Sequence, residues 1–151
     1  MKKRWMAVAL TAILLMAVGG AIGTVSVRQE SENVYDLYFV ERNLRAASGG
    51  DALRAEERAL SGGADSTAQQ AEALMAELLK GPVDQTLKSP FPKGTGLNSV
   101  EQKGTEIHVD FSAVYGTLSG MDLTLADYAV TMTLAQLPDV ARVRITVAGN
   151  N

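Results

Sequence analysis

Thr105-Glu106-Ile107-His108-Val109-Asp110-Phe111-Ser112 alternates apolar and polar residues without a break. Successive strand side chains point to opposite faces, so Ile107, Val109 and Phe111 form one apolar face and Glu106, His108 and Asp110 one polar face. The stretch is a half-buried strand, and the fold is built around a sheet with one covered and one open side. It also holds the only histidine of the chain, with two carboxylates beside it. Candidate chemistry therefore starts here as well.

On its N-terminal side, Leu97 to Glu101 precedes Gln102-Lys103-Gly104, a spacing that suits a hairpin into the central strand with glycine supplying the unusual dihedral. Leu97 and Val100 would point to opposite faces, which predicts a bulge or a late strand start. On the C-terminal side, Ala113 to Met121 reads as a surface loop. Thr124 with Asp127 is a capping start for a helix whose wide apolar face carries Leu125, Ala126, Ala129, Val130, Met132, Thr133 and Leu137 before Pro138. Val143, Ile145 and Val147 then alternate with Arg142, Arg144 and Thr146, giving a final strand with two cations on its open face.

Upstream, Gly81 to Gly96 contains Pro82, Pro90, Pro92 and Gly94 and reads as an irregular crossing. Asp65 to Pro82 is the clearest helix: Ser66 with Gln69 is a capping-box pattern, and Ala71, Leu74, Met75, Leu78 and Leu79 share one face. Gly81 stands where a left-handed residue ends a helix, and Pro82 forbids continuation. That stripe is a core face rather than a ligand surface. Leu53 to Leu60 has helical propensity by itself, Asn43 to Asp51 is a loop, and Val34 to Val40 is a first strand.

Lys2, Lys3 and Arg4 precede Trp5 to Val27, an uncharged run of 23 residues. As a helix it reaches about 34 Å, enough to cross a bilayer core of about 30 Å. The basic flank stays inside, which puts the C-terminal part of the chain outside the cytoplasm. Ala21-Ile22-Gly23 carries the small-x-small pattern of a cleavage site, so a signal peptide and secretion is the alternative to an anchor. Residues 28–33 read as a linker. The chain has no cysteine, which excludes disulfides and a lipid-accepting thiol. With 14 Lys+Arg and 17 Asp+Glu the net charge is −3, and setting Lys2, Lys3 and Arg4 aside leaves −6. Such a balance gives no reason to bind nucleic acid or an anionic lipid surface.

Several segments taken in order resemble the GerMN domain, the sporulation and spore-germination domain family. They are Leu37-Tyr38-Phe39-Val40, Leu53-x-x-Glu56-x-Arg58, Ala73-Leu74 through Leu78-Leu79-Lys80-Gly81-Pro82, and Pro92-x-Gly94-Thr95-x-Leu97. Val109-Asp110-Phe111-Ser112 and Thr133-Leu134 through Leu137-Pro138, Val140, Val143, Ile145, Val147 and Gly149 continue the series. The resemblance turns Leu53 to Leu60 into a second strand. The expected fold is then α+β: a small mixed β-sheet with two amphipathic helices on one face, in the order β-β-α-β-β-α-β, over residues 34–149. The resemblance implies an extracytoplasmic, non-catalytic domain of spore or envelope assembly, similar in fold to ring-building modules of secretion complexes. The familiar member has two such domains behind a lipoprotein signal; this chain has one.

Weighed residue by residue, catalysis finds little to stand on. Glu106, His108 and Asp110 share a face, but i, i+2 side chains stand about 7 Å apart, wide for three ligands on one ion, and no second histidine completes a metal site. Ser112 follows His108 on the same segment, where a triad draws on separate elements. Glu56 and Glu57 point to opposite faces of a strand and cannot flank one bond. Gly94 and Gly96 lack a following Lys-Ser/Thr, so no phosphate loop is present. Asp110 and Ser112 read as residues that end the strand, and Arg58 as an ion-pair partner. No catalytic, cofactor-binding or metal residue is assigned. The expectation is a membrane-tethered protein-interaction domain, the alternative a peptidoglycan-associated envelope enzyme or a secreted binding protein. Its candidate interaction surface is Arg142 and Arg144 on the final strand with Glu72, Glu77 and Asp127 on the helices, which would steer self-association of copies confined to a membrane.

Overall fold

The structure is a computed structural model that describes residues 33–43, 51–60 and 65–150. The Trp5 to Val27 run, and all but Asn33 of the linker, lie outside the described residues. Among the described residues no helix is long and apolar enough to cross a membrane.

The strands form two three-stranded sheets, not the single sheet expected from the sequence. In the first, β1 (Asn33–Glu41) lies between β2 (Leu53–Leu60) and the two-residue β3 (Leu87–Lys88), all antiparallel. In the second, β5 (Glu106–Phe111) lies between β4 (Leu97–Lys103), antiparallel to it, and β6 (Arg142–Val147), parallel to it. A parallel pair needs a crossover, and α2 (Gly120–Leu134) supplies it. The helices are shared between the sheets. α1 (Thr67–Lys80) lies mainly on β4, α2 mainly on β1. The core is accordingly one cluster, with Leu37 and Phe39 of β1, Leu74, Met75 and Leu78 of α1, Ile107, Val109 and Phe111 of β5, and Val130 and Leu134 of α2. Each such side chain contributes roughly 1.5–3 kcal/mol by leaving water.

Local details follow the residues. The bulge expected in β4 is present: the pairing with β5 slips between Leu97 and Ser99, leaving Asn98 extra. The hairpin turn is tighter than expected, because Lys103 still pairs with Glu106 and only Gly104 and Thr105 form the loop, with Gly104 at φ 63°. β2 is a strand throughout, paired residue by residue from Leu53 with Val40 to Leu60 with Asn33.

Ser66 caps α1 by accepting from the Gln69 N–H at 3.3 Å, while the Gln69 side chain accepts from the Asp65 N–H at 2.9 Å. Gly81 ends the helix at φ 87°, ψ 175°, which is not the left-handed helical conformation expected but an extended region open almost only to glycine. The second helix begins earlier than Thr124. Ser119 precedes it, and the Thr124 hydroxyl donates back to the Gly120 carbonyl at 3.1 Å inside the first turn. Part of the expected loop before it is a 3-10 turn, Tyr115–Thr117. Its Tyr115 ring is buried, stacked on Phe111 with centroids 4.6 Å apart and close to Phe91 at 6.0 Å.

Candidate functional site

The parallel register of β5 and β6 sets Glu106 beside Arg142, His108 beside Arg144 and Asp110 beside Thr146. The polar strand face and the two cations, separate in the sequence, therefore form one surface. Glu106 is its hub: it meets His108 Nε2, accepts from Arg144 Nε at 3.1 Å and lies 3.9 Å from Arg142. The hydrogen bond from Arg144, then that from His108, hold the Glu106 carboxyl below the usual carboxylate range. On the other side of the ring, Lys103 Nζ stands 3.3 Å from His108 Nδ1. An ammonium group only donates, so in this contact Nδ1 accepts, and Nε2 is the nitrogen that donates to Glu106. Both ring nitrogens are thus engaged, and among the described residues no three His, Asp or Glu side chains group so as to hold a metal ion.

Asp110 turns to a different task. It accepts from the Thr146 hydroxyl at 2.6 Å, the Asn98 amide at 2.8 Å and the Gly149 N–H at 2.8 Å. The Thr146 and Asn98 hydrogen bonds come first in lowering its pKa. Asp110 therefore fastens the bulge of β4 and the end of β6 to the central strand. Ser112 exchanges hydrogen bonds with Gly96: its hydroxyl accepts from the Gly96 N–H and its own N–H donates to the Gly96 carbonyl, both at 2.9 Å.

Glu56 and Arg58 share a face of β2, as i, i+2 positions must. Arg58 donates to Glu56 through Nε at 2.8 Å, to Glu77 at 3.4 Å and to the Gly81 carbonyl at 3.0 Å. Glu56 in turn accepts from the N–H groups of Val83 at 3.0 Å and Asp84 at 2.8 Å. Burial pushes the Glu56 pKa up, but the Asp84 and Val83 N–H groups and Arg58 together outweigh it and hold the group low. The pair is a latch on the C-terminus of α1, and Glu57 points away to solvent.

Of the candidate interaction residues, Arg142, Arg144 and Glu72 stand exposed. Glu77 is pulled inward by Arg58 and pairs with Lys80. Asp127 accepts from the Tyr115 hydroxyl at 2.6 Å. It lies on the wall of a groove of about 490 Å³ between α2, the 3-10 turn and β6, lined also by Leu118, Leu123, Val143 and Ile145.

Two features escape the sequence reading. Tyr115 belongs to the core, and the spacing of Phe111, Tyr115 and Leu118 was the available signal. The Gln136 side chain accepts from the Asp36 N–H at 2.9 Å and donates to the Asp36 carbonyl at 2.7 Å, while Thr133 accepts from the Tyr38 N–H at 3.2 Å. Together they cover the edge of β1 that β3 leaves open, and no sequence pattern announces it.

The fold is similar to the first GerMN domain of the sporulation protein GerM from Bacillus subtilis, with 25% identity, a TM-score of 0.59, and 79% of this chain and 85% of that one covered. It is also similar to the tandem GerMN domains of the same protein, at 18% identity and a TM-score of 0.57, covering 89% of this chain and 44% of the tandem. This chain thus spans less than half the length of that two-domain structure. No match was found among proteins with curated descriptions. Residues 36–151 match the family described as Germane: Sporulation and spore germination, and over that span the chain belongs to it.

Proposed function

We propose that this protein is a non-catalytic interaction module, tethered by Trp5 to Val27 with its folded domain outside the cytoplasm, and serving spore or envelope assembly. The observation that carries the non-catalytic reading is the use to which the polar residues are put. Glu56, Arg58, Asp110 and Ser112, the residues that the family resemblance singles out, each spend their side chains on holding one element to another. His108 is engaged at both nitrogens. What is left for a partner is surface: Arg142, Arg144 and Glu72 at solvent. Exposed pairs of such charges contribute only about 0–1 kcal/mol each, so they guide an encounter and need confinement on a membrane to hold it.

The test is protease treatment of intact cells stripped of their outer layers, with a tag after Asn151. Digestion of the domain is expected. Full protection would sink the topology, and turnover of wall fragments by the purified protein, abolished by H108A, would replace the module with an enzyme.

A further inference from the structure

β6 is the outer strand of its sheet. Arg142 N donates to the Thr105 carbonyl at 3.2 Å and Ala148 N to the Phe111 carbonyl at 2.8 Å. Because the ladder has period two, residues 142, 144, 146 and 148 turn their N–H groups toward β5, and 143, 145 and 147 turn theirs outward. Val147 finds partners in Asn150, donating to its carbonyl at 2.8 Å and accepting from its N–H at 2.9 Å. Val143 and Ile145 have no backbone partner on that side among the described residues. An open edge of this kind is a template for another strand.

The groove runs beneath that same edge. A strand added to β6 would send alternate side chains over Leu118, Leu123, Val143 and Ile145, toward Asp127. Asp127 gives one oxygen, Oδ1, to Tyr115, and no described cation pairs with it. Asp127 is the one carboxylate on a wall that carries Thr131 and the Tyr115 phenol among mainly apolar side chains, and it complements an apolar stem with a cationic end, the shape of a lysine or arginine side chain.

We propose that β6 is a docking edge for an extended segment of a partner protein, which pairs with the backbone of Val143 and Ile145 and lays a lysine or arginine along the groove to Asp127. This rests on the interaction-module reading for the existence of a partner and names the chemistry by which it is held.

The isotope-labelled full chain in detergent micelles is titrated with the peptide acetyl-Thr-Val-Thr-Lys-Thr-Val-Thr-amide, followed through backbone amide signals. The expected result is movement of the Val143 and Ile145 signals, with affinity falling at least tenfold for the peptide with Glu in place of Lys and for the D127N protein. Asn keeps an acceptor for Tyr115, so the fold is retained. Only one edge of an added strand faces β6, so N-methylation of one alternate set of peptide amides abolishes binding and methylation of the other set is tolerated. No movement at Val143 and Ile145, equal effects of the two methylated series, equal affinity for Lys and Glu peptides, or movement only at Met121 and Tyr128 on the outer side of α2 would overturn the proposal. A domain found inside the cytoplasm would defeat the topology and leave this measurement standing.

Discussion

Arg58 and Gly81 lie 23 residues apart in sequence, yet the guanidinium of the first donates to the carbonyl of the second at 3.0 Å. A strand side chain thereby closes the end of a helix, where carbonyls lack intrahelical partners. R58A is expected to cost about 2 kcal/mol, the loss of charge-assisted bonds at a largely covered site, and to lower the Tm by several degrees. Thermal unfolding followed by circular dichroism measures it; an unchanged Tm would show the latch to be idle.

Its partner sets a pH dependence. Glu56 has a folded pKa below its ordinary 4.5. The unfolded chain therefore binds the proton more readily, so the stability Glu56 contributes is complete above about pH 4.5 and is lost as pH falls through the lower folded value. E56Q is expected to flatten the acid limb of the Tm-versus-pH curve relative to the parent. Parallel acid limbs would count against the assignment.

Gly81 tests backbone strain apart from crowding. A Cβ there would meet nothing closer than Ser89 Cβ at 4.0 Å, so G81A adds no clash. Its cost comes from φ 87° alone, about 1–3 kcal/mol in urea unfolding. A neutral effect would mean that the helix end relaxes into another conformation at little cost.

Burial, then the hydrogen bond to Asp127, push the Tyr115 phenol above its ordinary pKa of 10.0. Tyr115 is one of four tyrosines. Alkaline titration at the tyrosinate absorption band should contain a step that appears only on unfolding, and Y115F should remove that step. Its persistence in Y115F would assign it to another tyrosine.

His108 has no nitrogen to offer a metal while Glu106 and Lys103 hold it. Zinc or manganese should therefore leave the Tm unchanged, since a ligand that prefers the folded state must raise it. A rise of several degrees that vanishes in H108A would show that the metal displaces both neighbours.

Where the sequence carries a local rule, it was legible. The unbroken alternation of β5, the Ser66 cap and the bulge forced by Leu97 and Val100 each express a constraint between near neighbours. The division into two sheets was not, because strand periodicity says which face is buried and nothing about which strand lies alongside. The start of α2 was misplaced for a related reason: Thr124 and Asp127 have the spacing of a capping pair, but Asp127 is taken by Tyr115, a partner that only the fold brings near. Of the candidate site, the strand face and the cations were readable singly, and their union in one surface required the parallel register of β6.

The grip of Gln136 on Asp36 joins a residue of the first sheet to the crossover that completes the second. The link adds to a core that the two sheets already share: releasing β1 uncovers the face of α2 packed on it, and loosening α2 loosens the connection into β6. The two should behave as one cooperative unit, so the Asp36 and Tyr38 amides, though on a strand margin and held by side chains alone, should exchange with solvent more slowly than unpaired amides of the turns.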